Sequence, residues 1–130
     1  VSRRAARNGE ETGERRSRLR KGVSAEWIAA ILLTAKGYRI LARRHRNPFG
    51  EVDLIATRGK RLAFVEVKRR ATLADAEASL TPLQAGRIAR AADYWLDRNP
   101  AYRDHEVGLD AIFVLPRRWP RHLRNALDAV

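Results

Sequence analysis

At 130 residues, with 45% hydrophobic and 32% charged residues, the chain has the composition of one soluble domain long enough to bury a real core. It contains no cysteine, which excludes a disulfide framework, a zinc–thiolate site and a thiol nucleophile, and fits a reducing compartment. The formal net charge of +12 points to a polyanionic partner, nucleic acid first, although 23 of its 27 basic residues are Arg, a bias that a GC-rich genome also produces.

Residues 1–22 hold eight basic and three acidic residues and almost nothing apolar, which reads as a solvated, disordered basic tail preceding a domain over 23–130. Ser24 is a helix cap and Gly37 a terminating residue. Between them Trp27, Ile28, Ile31 and Leu32 make a helix apolar around most of its girth, expected to be largely buried. Glu26 is the only acid on it. Alternation from Tyr38 to Arg44 predicts a strand, Asn47-Pro48-Phe49-Gly50 a turn, and 51–57 with 61–68 a hairpin about Gly59. The stretch 69–78 reads as irregular or weakly helical. Thr81-Pro82-Leu83-Gln84 is a capping box opening a strong helix that Asn99-Pro100 ends. Residues 107–115 form another strand, and 121–127 fit either a short strand or a helical turn. The order helix, three strands, helix, strand implies an α/β layer fold around a mixed sheet. No apolar run approaches the roughly 20 residues of a membrane-spanning helix, and no apolar segment follows the basic N-terminal stretch as in a secretory leader. The expected location is the cytoplasm, with no membrane partner.

Phosphate loops, dinucleotide turns and nucleophile elbows are absent. His45, His105 and His122 lie far apart and read as surface or edge residues. The chemistry concentrates in Gly50-Glu51-Val52-Asp53-Leu54-Ile55-Ala56 and Phe64-Val65-Glu66-Val67-Lys68. Glu66 and Lys68, two apart on a strand, share a face, and the hairpin brings Asp53 onto it. Two carboxylates about 4 Å apart repel by roughly 4 kcal/mol at an effective dielectric near 20. A cation, a shared proton or Lys68 must relieve that. Mg²⁺ takes one or two carboxylates and leaves places for water and a phosphate, so a phosphodiester-cleaving site is one reading. Cross-strand ion pairs on the polar face of an antiparallel sheet are the other.

These two segments, with Ala25-Glu26, Gly37-Tyr38, Leu109-Asp110-Ala111 and His122-Leu123-Arg124-Asn125-Ala126, resemble the YraN-like family of small bacterial proteins. That family is similar to the PD-(D/E)XK nuclease superfamily, including archaeal Holliday junction resolvases. The resemblance implies a restriction-endonuclease-like core, a mixed central β-sheet flanked by α-helices, and hydrolysis of DNA, branched or structured DNA among it. It assigns Asp53 and Glu66 to Mg²⁺ or Mn²⁺, Lys68 to catalysis, and Glu26 to completing the metal site; Val52 stands where the superfamily's proline would. A homodimer accords with the paired active sites of junction-cutting relatives. A catalytically inactive nucleic-acid-binding module of the same fold is the alternative. Arg43, Arg44, Arg46, Arg69 and Arg70 bracket the site as candidate phosphate contacts. Arg117, Arg118 and Arg121 cluster near Trp119, which beside Pro120 reads as a packing residue, with stacking on an unpaired base as the alternative.

Overall fold

The computed structural model describes residues 24–130, so the segment expected as a basic tail lies outside the described residues. The Ser24 hydroxyl accepts the Trp27 N–H at 3.3 Å and opens helix α1 (Ala25–Ala35), while Gly37 at φ +90° turns the chain out of it. The expectation of a largely buried helix is corrected. Ala29, Ala30 and Leu33 are buried, whereas Trp27 and Ile31 are 48% and 61% exposed. Alanines let the helix backbone approach the sheet closely, which turns the bulkier residues outward.

Strand β1 (Arg39–Asn47) turns into β2 (Gly50–Arg58), and Gly59 at φ +57° turns β2 into β3 (Arg61–Arg69). The stretch after β3 resolves into a short helix α2 (Leu73–Ala78), capped by the Thr72 hydroxyl accepting the Asp75 N–H at 3.1 Å. Helix α3 (Pro82–Arg98) begins where its cap predicts, with Thr81 accepting the Gln84 N–H at 3.2 Å. Strand β4 (Glu106–Val114) follows, and the final segment is both things the sequence left open. Strand β5 (Arg121–Leu123) comes first, then Asn125 at φ +56° bends the chain into a 3₁₀ turn, Ala126–Ala129.

The five strands form one sheet in the order β1-β2-β3-β4-β5, antiparallel except for the β3–β4 pair. A parallel pair needs a crossover, and α2 with α3 supplies it. Ala29, Ala30 and Leu33 of α1 pack with Leu54, Ala56, Ala63, Val65 and Ile112 in one core cluster. Ala85, Ile88, Ala92 and Trp95 of α3 pack with Ile55, Leu62 and Phe64 in a second. Helices thus cover both faces of a mixed sheet, the α/β arrangement expected of a restriction-endonuclease-like core. No helix among the described residues is long and apolar enough to cross a membrane.

Two further expectations change. His122 does lie on the edge strand β5, but it is not at the surface there: its side chain is 2% exposed and its Nε2 lies 2.8 Å from Asp110 Oδ2. Asp110 also receives two 2.7 Å hydrogen bonds from Arg61 and one of 2.9 Å from the Asn125 backbone N–H. Burial pushes the Asp110 carboxyl up, but the donors of Arg61, His122 and Asn125 outweigh it and hold the group well below the usual carboxylate range. Gly108 makes room for this cluster, since a Cβ there would stand 2.2 Å from Arg61 Nη2. Trp119, expected to pack, is 87% exposed.

Candidate functional site

The β2–β3 ladder runs from Arg58 opposite Arg61 to Leu54 opposite Val65 and stops there. Each strand stays paired on its outer side, β2 to β1 as far as Gly50 and β3 to β4 as far as Arg69. The strands therefore part like a wedge, and Asp53 Oδ2 accepts the Val67 N–H at 2.8 Å in place of a strand carbonyl. The resulting cleft, about 310 Å³, is lined by Glu51 and Asp53 from β2, Glu66 from β3, and Gln84 and Arg87 from α3. Glu66 Oε1 accepts a hydrogen bond from Gln84 Nε2 at 2.9 Å and pairs with Lys68 Nζ at 3.2 Å. Glu66 and Lys68 thus share a face, as their spacing predicts, and Asp53 enters the same cleft.

Charge in this cleft is under-compensated. Burial pushes the Asp53 carboxyl above its ordinary value; the Val67 N–H opposes this, and the Glu51 and Glu26 charges reinforce it. Glu66 is likewise pushed up by burial first and by Asp53 second, with Lys68 pulling the other way. Gln84 Oε1 is buried without a hydrogen-bond partner among the described residues. Two hard carboxylates beside an unpartnered amide oxygen form a donor set that suits Mg²⁺ or Mn²⁺. Among the described residues no three His, Cys, Asp or Glu side chains cluster as a cage for an ion. Mg²⁺ does not require one, because it keeps several waters.

Glu26 stands apart from the cleft lining. Its carboxylate pairs with Arg44 Nε at 2.7 Å and Arg43 Nη2 at 3.1 Å. Arg43 also lies over the Trp27 ring, 3.8 Å from its centroid. Arg44 holds this position at φ +50°, a left-handed conformation uncommon for a residue with a side chain. Arg46 reaches Glu51 at 3.4 Å. Three of the five arginines expected on phosphates therefore have acids as partners, while Arg69 and Arg70 border a second cavity at the end of β3.

Sequence reasoning set Gln84 aside as a cap and left Glu51 out of the site. The cap uses only the Gln84 backbone; its side chain leaves the capping box and turns to Glu66. Nothing local announces that choice, because Glu66 is 18 residues away. Glu51 was legible, since it sits two positions from Asp53 on the same strand.

Comparison with known proteins identifies the family. Residues 25–114 match the model of a family described as "Uncharacterised protein family UPF0102". A UPF0102 protein of Rhodopseudomonas palustris (strain BisB5) is 53% identical over 116 residues, covering 89% of this chain and 88% of the relative. One from Bradyrhizobium sp. (strain ORS 278) is 54% identical over 116 residues, covering 89% and 82%. One from Nitrobacter winogradskyi is 53% identical over 108 residues, covering 83% and 92%. The chain belongs to the UPF0102, or YraN-like, family.

Proposed function

We propose that the β2–β3 wedge is the centre of a Mg²⁺- or Mn²⁺-dependent nuclease that hydrolyses DNA phosphodiester bonds. The observation that carries this reading is the pair Asp53 and Glu66, two partly buried carboxylates lining one cleft and raised by burial with too little positive charge nearby. A divalent cation held there would neutralise charge on the phosphate and lower the pKa of a bound water. Asp53 and Glu66 would hold it, with the Val67 N–H fixing Asp53 and Gln84 fixing Glu66. Lys68, only 13% exposed and paired to Glu66, places an ammonium beside the point where charge develops on the phosphoryl group. Glu26, neutralised by Arg43 and Arg44, acts on the site from a distance and orders two guanidinium groups beside it. Arg87 at the cleft supplies a further phosphate contact. The net charge of +12 draws a polyanion to the chain. Six phosphate contacts would make log K fall with log salt at a slope of about −5 on duplex DNA. If the substrate is a branched junction, two copies of the chain would act on its two strands.

A second reading, a DNA-binding module without catalysis, draws on the engagement of Glu26 by two arginines, which removes a third acid from the metal. One comparison separates the two. The full chain is incubated with linear duplex, single-stranded, flapped and four-way-junction DNA in Mg²⁺, Mn²⁺ or chelator, beside Glu66→Ala and Lys68→Ala. Metal-dependent cutting that both substitutions abolish is the expected result. Binding of the same DNAs with no cutting in either metal would overturn catalysis in favour of the second reading.

A further inference from the structure

The segment Pro116–Pro120, which joins β4 to β5, carries the most exposed large apolar side chain among the described residues, Trp119 at 87%. Trp95, by contrast, is 8% exposed and packs edge-on against Phe64. Arg117, Arg118 and Arg121 flank Trp119 in the chain and are exposed, and none forms a salt bridge with a described residue. Arg117 sits at φ +59°, a left-handed conformation that a residue with a side chain adopts only when its surroundings impose it. A bare ring flanked in the chain by three exposed arginines without acidic partners suits no hydrophobic partner, because docking one would desolvate the guanidinium groups. It suits a ligand with both an apolar face and negative charge.

Topology places the loop at the same end of the sheet as the proposed centre. Strands β3 and β4 are parallel, with Lys68 opposite Phe113 and Arg69 opposite Val114. The chain therefore leaves β4 at the end of the sheet where Glu66 and Lys68 stand. Between the two strand ends lies a cavity of about 430 Å³ with Ala71, Val114, Leu115 and Pro116 as apolar walls and Arg69 and Arg70 as polar ones.

We infer that this loop and cavity bind an unpaired stretch of DNA, with Trp119 stacking on a base and Arg117, Arg118 and Arg121 holding the flanking phosphates. Within a duplex each base face is covered by its neighbour, so a ring presented in this way selects bases that are out of the stack. Resting on the nuclease reading of the wedge, the inference also narrows its substrate. The scissile bond lies next to a single-stranded segment, as in a flap, a fork or an open junction, rather than within continuous duplex.

The test measures affinity of the full chain for an oligo-dT, an oligo-rU of the same length and a blunt duplex, in chelator at fixed salt. Trp119→Ala is expected to weaken oligo-dT binding about 5- to 150-fold and to leave duplex binding within about twofold, while Trp119→Phe restores most of the loss. Arg117→Ala with Arg118→Ala should flatten the single-strand salt slope by about 1.4. Equal loss on dT and duplex, or no loss on either, overturns the platform, as does rU binding more than tenfold tighter than dT. Because Trp119 is in solvent, an unchanged melting temperature in its variants confirms that the affinity loss is local. Binding is read without metal, so the two ideas fail separately. Stacking without cutting refutes only the nuclease reading, and cutting without stacking refutes only the platform.

Discussion

Asp110 and Glu66 stand on neighbouring strands of one sheet, both withdrawn from water, yet their carboxyls are pushed in opposite directions. Asp110, fully buried, receives two guanidinium hydrogen bonds, an imidazole nitrogen and a backbone N–H, and ionises more readily than a carboxyl in water. Glu66 has one lysine and one amide, both on the same oxygen, and a second carboxylate facing the same cleft. The fold can satisfy a buried acid completely, as Asp110 demonstrates. A partly buried pair left short of positive charge a strand away is what a site completed by an outside cation would show.

Substitutions on the two sides should therefore separate activity from stability. The largest effect is expected for Glu66→Gln, which removes one carboxylate charge and should lower metal-dependent cleavage by about 10³-fold or more in single-turnover assays. Asp53→Asn should do the same while keeping an acceptor for the Val67 N–H. Without metal it should raise stability by up to about 1 kcal/mol, because it removes an under-compensated charge. Asp110→Ala is expected to do the reverse. It leaves Arg61 buried and unpaired and should cost about 3–5 kcal/mol in urea denaturation, with cleavage by the folded fraction largely preserved. Equal loss of activity in Asp53→Asn and Asp110→Ala would break the distinction.

A smaller effect sharpens the same contrast. Gly108→Ala places a methyl carbon 2.2 Å from Arg61 Nη2, 2.7 Å from Cζ and 2.9 Å from Asp110 Oδ1. That guanidinium is pinned by Asp110 and cannot swing aside cheaply, so overpacking should cost about 1–3 kcal/mol.

Much of the fold was written in local signals. Ser24 and Gly37 bound α1, Thr81-Pro82 opens α3, and Gly59 turns the hairpin, because caps and turns are decided by neighbouring residues. The shared face of Glu66 and Lys68 follows from strand periodicity alone. What could not be read depended on distant partners. The orientation of α1 escaped because a helix apolar on all sides gives no preferred face, and close approach selected Ala29 and Ala30 over Trp27 and Ile31. The His122 side chain is drawn inward only through Asp110, 12 positions earlier, and Lys36, 86 positions earlier. Glu26 and Gln84 were legible as residue types, but which side chain each would meet was not.

The smallest expected effect is on pH dependence, with opposite signs at the two sites. The carboxyls of Asp53 and Glu66 are raised in the folded state, so folding favours their protonated forms. Their contribution to stability falls as pH rises from about 4 through those raised values, and their full cost is present above them. The Asp110 carboxyl is depressed, so its contribution is complete above about pH 4 and is lost as pH falls through its folded value. In urea melts between pH 3 and 7, the stability advantage of Asp53→Asn over the parent chain should grow with pH by up to about 1 kcal/mol.

Calorimetric titration of Mn²⁺ or Mg²⁺ into the full chain without DNA tests most directly whether the wedge is completed by a cation. Saturable binding at neutral pH is expected, abolished by Asp53→Asn and by Glu66→Gln, and weakening on acidification at a higher pH than for ordinary carboxylates, because protons compete for both groups. No saturable binding, or binding that survives both substitutions, would contradict it.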